Sequence, residues 1–268
     1  RPKPTIDEYT NALLDRAMQA YASIQYRDDA DIAMAEKRMT MKYRVPDKQR
    51  LEWAQRVMAE GGDRLPKTQP EVYAREQILL RIGDITIATT PNETYAITGL
   101  KIKAASPLPK SIVIELANGG DGYIPPPEMH AFGGYNTWAA RSAGLEVQAE
   151  TKITQAAIDL LETVCAKPRR PWALSEGAAT QTIQATKPLA YWRLNEFTGP
   201  HAVDASGHHR DATYEVASVY YLEGPHSKAF CANGEKNRAP HFVGGRLRAE
   251  LNDLGANYTV SMWLWNGM

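Results

Sequence analysis

Two stretches of sequence decide the fold: ITIATTPNETYAITGL at residues 85–100 and SIVIELANGGDGYIPPPE at residues 111–128. Each begins with a short apolar run that is typical of a strand and leads into a turn rich in Pro, Asn or Gly. The first turn carries Glu93 and the second carries Tyr123, two side chains that can bind a metal or handle a proton. Functional side chains often lie on such turns at strand ends, so the pattern indicates the rim of an active site.

Around these stretches, apolar residues at three- and four-residue spacing predict several helices. Thr5 is the expected N-cap of the first. The predicted helices cover about residues 6–18, 46–61, 95–105 and 151–166, with a short helix that starts at Pro70 and contains Val72, Tyr73 and Ile78.

Strands are predicted at residues 37–45, where polar and apolar residues alternate, and through the apolar run with Ile82, Ile85 and Ile87. Helices mixed with strands in this way predict an α/β fold with a mixed layered core for residues 1–166. The basic, proline-rich start of residues 167–187 predicts a linker or an extended arm.

Residues 188–268 change to short strands and turns, which predicts a second, all-β domain. Three features carry a resemblance here: Tyr191-Trp192-Arg193-Leu194, Asp204-Ala205-Ser206-Gly207 and Thr259-Val260-Ser261-Met262-Trp263. In this order they resemble the opening half of a LamG-like, concanavalin-type jelly roll. The resemblance implies a β-sandwich fragment, because a complete sandwich needs more residues than remain.

Residues 91–94 and 118–123 resemble two motifs of the neutral ceramidase family, in particular its bacterial ceramidase-like members. These are zinc amidases that cleave the N-acyl bond of ceramide or a related lipid amide. Pro91-Asn92-Glu93-Thr94 corresponds to the family's Pro-Gly-Glu-Phe, whose glutamate binds zinc. The stretch from Asn118 to Tyr123 has the spacing of Asn-x-Tyr-x-x-Tyr, whose last tyrosine lies beside the metal. Asn92, Thr94 and Gly120 depart from the family pattern.

The resemblance implies that residues 1–166 are the C-terminal part of a catalytic domain and that Glu93 is a zinc ligand. It also implies that Tyr123 binds the metal or stabilises a tetrahedral oxyanion formed when zinc-bound hydroxide attacks an amide. The residues alone allow a simpler interpretation of each. Glu93 could cap the helix that follows it, and Tyr123 could pack, half-buried, against residues 125–127.

Three further residues are candidates for substrate binding. Arg141 could anchor a polar or anionic head group, and Tyr135 and Trp138 could line an acyl or sugar site. A structural salt bridge is an equally good interpretation of Arg141, and two core aromatics are the simpler interpretation of the pair.

Histidine usage limits the metal prediction. His130 is the one histidine before residue 166, whereas the family's zinc is also held by histidines that include a His-x-His cluster. One imidazole, one carboxylate and one phenol do not make the usual three-ligand catalytic zinc site. We therefore expect His130 to be a loop histidine and the remaining ligands to lie upstream in a longer parent protein. The chain alone is predicted to be inactive.

In the second predicted domain, Asp204 most simply forms an Asx-turn, and Ca²⁺ binding there is a weaker possibility. His208 and His209 are adjacent, so they point in different directions and are expected in a solvated turn. Three tryptophans are expected to fill the sandwich core: Trp192, Trp263 and Trp265.

Composition argues against nucleic acid as a partner and against a transmembrane helix. Lys plus Arg equals Asp plus Glu at 31 each, which argues against nucleic acid as a partner. No apolar run approaches the ~20 residues of a transmembrane helix. Cys165 and Cys231 are expected to be partly buried, unpaired thiols.

The family resemblance implies a secreted, periplasmic or cell-surface protein. The first hypothesis is a fragment of a zinc-dependent amidohydrolase acting on a lipid amide or other small amide. The second is a non-catalytic adhesion protein whose LamG-like part binds a glycan or a protein.

Overall fold

A four-stranded mixed sheet forms the centre of the N-terminal part of the chain. The computed structural model describes residues 3–61, 73–120, 122–139, 141–172, 174–232 and 235–265. The α-helices are α1 (Ile6–Ala22), α2 (Lys48–Gly61), α3 (Ala96–Ala105), α4 (Ala149–Cys165) and α5 (Ala178–Ala185). The strands are β1 (Ile32–Met41), β2 (Tyr73–Ile82), β3 (Ile85–Thr89), β4 (Glu93–Thr94), β5 (Lys110–Ile114), β6 (Tyr123–Ile124), β7 (His201–Ala202), β8 (Ala212–Tyr214), β9 (Ser218–Glu223), β10 (Arg238–Phe242) and β11 (Leu247–Arg248).

The central sheet has the order β1-β2-β3-β5. The first three strands pair antiparallel, whereas β3 and β5 are parallel and are joined through α3. A parallel pair needs such a crossover, because a tight hairpin can join only antiparallel strands. Residues 1–166 are thus mixed helix and sheet, as the sequence predicts.

Helix α4 supplies the core beneath one face of this sheet. Ile153, Ala157 and Leu161 are fully buried, and the predicted apolar face of the helix is the face that packs. Its residues enter two clusters, one with Met39 and Met41 of β1 and one with Leu79 of β2 and Ile102 of α3. Side chains spaced by three and four residues lie on one side of a helix, which explains the match.

The opposite face of the sheet is open. Register partners across an antiparallel or parallel pair point to the same side, and this side carries mostly aliphatic residues. Ile32, Met34, Ile82, Ile112 and Ile114 lie on it and are all exposed.

Helix α1 confirms the predicted N-cap. The Thr5 hydroxyl accepts a hydrogen bond from the Glu8 backbone N–H, and the Glu8 carboxylate accepts one from the Thr5 N–H, which together form a capping box. Neither α1 nor α2 contains a buried residue.

One helix prediction is wrong. Tyr73 and Ile78, predicted in a helix starting at Pro70, lie in β2, because pairing with β1 along ten residues outweighs local spacing. Pro70 and Val72 lie outside the described residues. Within residues 167–187, predicted as a linker or an extended arm, residues 178–185 form α5. The N–H groups of Gly177 and Ala179 donate to the carbonyls of Phe230 and Ala229, respectively. The apolar strand through Ile82, Ile85 and Ile87 is two strands that meet at Gly83-Asp84.

Beyond residue 188 the described chain forms small sheets, β11-β8-β7 and β10-β9, around an aromatic cluster. The two packed sheets of a jelly roll are not seen among the described residues. The predicted closing strand at residues 258–265 is irregular, and none of the described strands pairs with it. Trp263 and Trp265 are exposed rather than in a core. Trp192 does pack on the cluster, with its indole N–H donating to the Arg210 carbonyl.

The aromatic cluster joins the two halves of the chain. Tyr214, Tyr220 and Tyr221 are buried, and Ile97 and Leu100 of α3 pack against them. Both cysteines are unpaired, as predicted, and both are buried. Within the described residues, no helix combines the length and the apolar character needed to cross a membrane.

Candidate active site

Glu93 and Tyr123 lie directly opposite each other. They are register partners in the two-residue parallel ladder formed by β4 and β6. The Glu93 N–H donates to the carbonyl of Gly122 at 3.1 Å, which fixes the backbone on both sides of the pair. The negative charge of Glu93, partial desolvation and a hydrogen bond between the two side chains raise the pKa of the Tyr123 phenol. A phenol is protonated at neutral pH even with an ordinary pKa of about 10, and this shift moves its ionisation further from neutrality.

Asn92 determines how Glu93 is presented. Its φ is +65°, in the left-handed region, and its side chain is fully buried. The Asn92 N–H donates to the Gly119 carbonyl, and the Asn92 carbonyl accepts from the Leu116 N–H. Asn is one of the few residues besides Gly that adopt this conformation readily, so the turn before Glu93 accommodates Asn92.

Glu93 does not cap the following helix. Tyr95 occupies the N-cap position of α3, and no side chain there accepts a helix N–H. The simpler sequence interpretation of Glu93 is therefore not what the structure shows.

A line of aromatic rings extends from Tyr123. The ring of Tyr135 meets that of Tyr123 edge-on at a centroid distance of 5.7 Å, and Trp138 meets Tyr135 at 6.2 Å. Tyr135 is 59% exposed and Trp138 46%, so they are surface rings and not core aromatics. We call Tyr135 and Trp138 the aromatic wall.

Three short 3₁₀ turns carry this wall and its surroundings: Pro127–Phe132, Tyr135–Thr137 and Arg141–Ala143. Arg141 begins the third turn, and its side chain lies outside the described part of the structure. The third turn presses on the Tyr123 loop at Gly122, where a β-carbon would come within 2.2 Å of the Ser142 carbonyl oxygen.

Arg44 also belongs to this region. The guanidinium contacts the ring of His130 at 3.1 Å and donates to the carbonyls of Thr137 and Ala143 at 2.8 and 2.5 Å. Burial and the positive charge of Arg44 lower the pKa of His130 to about 4. No sequence signal marks Arg44, because its partners are ring and backbone atoms far along the chain.

The described residues do not complete a zinc site. Glu93 and Tyr123 offer two oxygen donors at one place, but among the described residues no three His, Cys, Asp or Glu side chains cluster as metal ligands. The Nδ1 of His130 faces a guanidinium, which cannot accept a hydrogen bond, so that nitrogen is the acceptor for Arg44. His130 is thus a hydrogen-bond partner of Arg44 through Nδ1.

Asp204 forms the predicted Asx-turn. One of its carboxylate oxygens accepts from the N–H groups of Ser206 and Tyr191, and the other accepts from the Ser206 hydroxyl and the Arg210 N–H. Burial opposes ionisation, but these hydrogen bonds outweigh it and hold the pKa of Asp204 well below its usual range. Both oxygens serve the chain's own donors. His208 lies in the same turn and contacts the Ser206 hydroxyl.

No protein-family model matches the chain, and no curated protein matches it in sequence. Two solved structures resemble it in shape. One is a ceramidase complexed with C2, with a TM-score of 0.33 and 20% identity over 50% of this chain and 22% of that protein. The other is the neutral ceramidase from Pseudomonas aeruginosa, with a TM-score of 0.38 and 15% identity over 65% of this chain and 36% of that protein. This chain therefore spans well under half the length of either.

Proposed function

We propose that Glu93, Tyr123 and the aromatic wall form part of the active site of an N-acyl amide hydrolase of the ceramidase type, with a lipid amide as substrate. One observation carries the proposal. The carboxylate and the phenol, predicted from separate motifs, are register partners in one short ladder beside exposed aromatic rings.

Tyr123 is the group best suited to act on the amide. Hydrolysis passes through a tetrahedral intermediate in which the carbonyl oxygen becomes negative. A protonated phenol can donate a hydrogen bond to that oxygen, and the raised pKa of Tyr123 keeps the proton in place. The negative charge of Glu93 beside the phenol favours this protonated form.

The aromatic wall suits an acyl chain. Its two rings stand edge to face, leaving apolar ring surface exposed next to Tyr123. Burying that surface against methylene groups contributes roughly 25 cal/mol per Å² of area removed from water. A neutral, apolar acyl group fits such a surface better than a charged substrate.

For zinc, we propose only that Glu93 is one of its ligands. A carboxylate oxygen is a common zinc donor, but three protein ligands are usual in a catalytic site. The described residues do not supply three, so a complete zinc site would need ligands from beyond them. The family resemblance also leads us to propose a secreted, periplasmic or cell-surface location.

The test uses the whole protein that contains these residues and a short-chain fluorescent N-acyl sphingosine. We expect Tyr123→Phe to lower kcat/KM by about 10²–10³-fold, the usual effect of losing one oxyanion donor, and Glu93→Gln to lower it further. Tyr258→Phe, at an exposed tyrosine in the C-terminal part, is the matched control and should leave hydrolysis unchanged. Absence of amide hydrolysis in the unchanged protein would refute the proposal, as would full activity in both site variants.

One observation favours the second function, binding of a glycan by the C-terminal residues. Trp263 is 76% exposed and Trp265 is 93% exposed, and exposed indole rings can stack on sugar faces. Glycan-array binding that disappears in a Trp263→Ala, Trp265→Ala double variant would support this function. Binding that survives the double variant would exclude these rings as its basis.

A further inference from the structure

We infer that Arg44 is a positioning residue, which sets the place of the aromatic wall relative to Tyr123 by tying together the three 3₁₀ turns that carry and flank it. The inference rests on the proposed function for its consequence in catalysis. The placement of the turns by Arg44 can be tested on this chain by spectroscopy, without an activity assay.

The backbone brings Arg44 to these turns. Just beyond β1, the Arg44 N–H donates to the carbonyl of Gly144 at 2.7 Å, and Tyr43 and Leu145 form an antiparallel bridge. The Glu146 N–H donates to the carbonyl of Lys42. Residues 42–44 therefore continue β1 as a partner for residues 144–146, and the Arg44 side chain leaves from a fixed position.

Each turn then provides one acceptor for the guanidinium. Nη1 contacts Nδ1 of His130 in the first turn, while Nη2 donates to the Thr137 carbonyl in the second and the Ala143 carbonyl in the third. A planar guanidinium presents five N–H donors in a rigid fork, so one side chain can fix three segments in one geometry. A lysine ammonium on a flexible stem cannot reproduce that arrangement.

The tied turns meet the site at two points. Thr137 shares a turn with Tyr135 and immediately precedes Trp138, so its carbonyl fixes the backbone of the aromatic wall. Ser142, next to Ala143, rests against Gly122, the residue before Tyr123. Displacing the guanidinium would thus move the wall and the Tyr123 loop relative to each other.

The pKa of His130 is sensitive to its hydrogen bond with Arg44. Accepting from Arg44 at Nδ1 requires a neutral ring with its proton on Nε2. Protonation would place a second cation beside the guanidinium. Burial is the larger cause of the lowered pKa and Arg44 the second, so removing the arginine charge should raise the pKa part of the way.

The experiment combines NMR titration of the His130 ring, assigned by difference with His130→Gln, with acrylamide quenching of Trp138, assigned by difference with Trp138→Phe. In Arg44→Gln we expect the His130 midpoint to rise by about one pH unit and Trp138 quenching to change. Arg44→Lys keeps the charge but not the fork, so His130 should stay low while Trp138 changes. Arg50→Gln removes a nearby charge with no contact to the turns and should alter neither reading.

Kinetics in the whole protein test the catalytic consequence. If Arg44 positions the wall, Arg44→Lys should raise KM for the N-acyl amide by roughly 10-fold, with a smaller change in kcat, because the wall binds the acyl group and does not touch the reacting bond. An unchanged His130 midpoint and Trp138 quenching in Arg44→Gln would overturn the inference whatever the activity. If Arg44→Gln fails to fold, unchanged quenching in Arg44→Lys would do the same. Loss of the proposed function would appear separately, as no hydrolysis in the unchanged protein.

Discussion

Gly122 and Ser142 approach so closely that no side chain fits between them. A β-carbon on Gly122 would lie 2.2 Å from the Ser142 carbonyl oxygen, and Gly122 also has a φ of +109°. We predict that Gly122→Ala lowers the free energy of unfolding by about 2–4 kcal/mol, because both the backbone conformation and the packing must change. Denaturant unfolding followed by circular dichroism measures this.

Gly133→Ala is the matched control for that variant. Gly133 also has a positive φ, at +70°, but a β-carbon there would meet nothing within 4 Å. Gly133→Ala should lose about 1–2 kcal/mol, from backbone strain alone. Equal losses in the two variants would mean that contact with Ser142 does not constrain the Tyr123 loop.

The phenol of Tyr123 should ionise above its usual range, and Glu93 is the largest cause. We predict that Glu93→Gln lowers the pKa of Tyr123, because the neutral amide no longer repels the phenolate. The ¹³Cζ chemical shift of labelled tyrosine followed against pH measures it. Glu115→Gln, at an exposed residue just after β5, should leave the titration of Tyr123 unchanged.

Asp204 should be the main acid-sensitive carboxylate of the C-terminal part. Its folded-state pKa is depressed, so its contribution to stability is present above the unfolded carboxyl pKa of about 4 and is lost as the pH falls through the folded value. Asp204→Ala, which leaves buried donors without an acceptor, should lower the free energy of unfolding by about 2–3 kcal/mol near neutral pH. Its stability should also fall less on acidification than that of the unchanged protein.

Asp253→Ala provides the comparison for Asp204. Asp253 pairs with Arg210 at 2.6 Å but is about half exposed, and surface ion pairs contribute about 1 kcal/mol or less. Similar losses for the two variants would show that the Asx-turn is not a stabilising feature.

Glu150 is a buried carboxylate whose partners come from two helices. It accepts from Lys101 Nζ at 3.0 Å and from the hydroxyls of Thr98 and Thr154. We predict that Glu150→Ala costs about 3–5 kcal/mol, because it leaves the largely buried Lys101 ammonium without a counter-charge. Thermal unfolding measures the loss, and Glu52→Gln in the exposed Lys48 pair should change it little. A small loss in Glu150→Ala would mean that water reaches Lys101.

Sequence patterns spanning a few residues correctly predicted the helix features that depend on neighbouring residues. The Thr5 capping box and the apolar face of α4 both depend on residues a few positions apart, and both are observed. Strand β2 was mistaken for a helix because its identity depends on β1, about forty residues earlier. Likewise, the irregular stretch at residues 258–265 shows that a β-type sequence forms no strand without a hydrogen-bonding neighbour.

At the candidate site, sequence motifs identified Glu93 and Tyr123 but not the interactions that hold this region in position. Glu93 and Tyr123 were selected for their chemistry at strand ends, and pairing of β4 with β6 brings them together. Arg44 was not found, because its bonds to Thr137 and Ala143 use carbonyl groups that every residue has. Because the residue type does not determine whether a backbone carbonyl is present, a sequence pattern cannot indicate such a hydrogen bond.

The open apolar face of the central sheet should make the protein associate with itself in solution. Ile32, Met34 and Ile112 keep aliphatic surface in contact with water, and any process that removes the contact is favoured. We expect fluorescence of the dye ANS and light scattering that rises with protein concentration, both reduced by Met34→Glu. Val216→Glu, at a singly exposed residue elsewhere, should not reduce them. Because this attraction weakens on cooling, turbid solutions should clear in the cold.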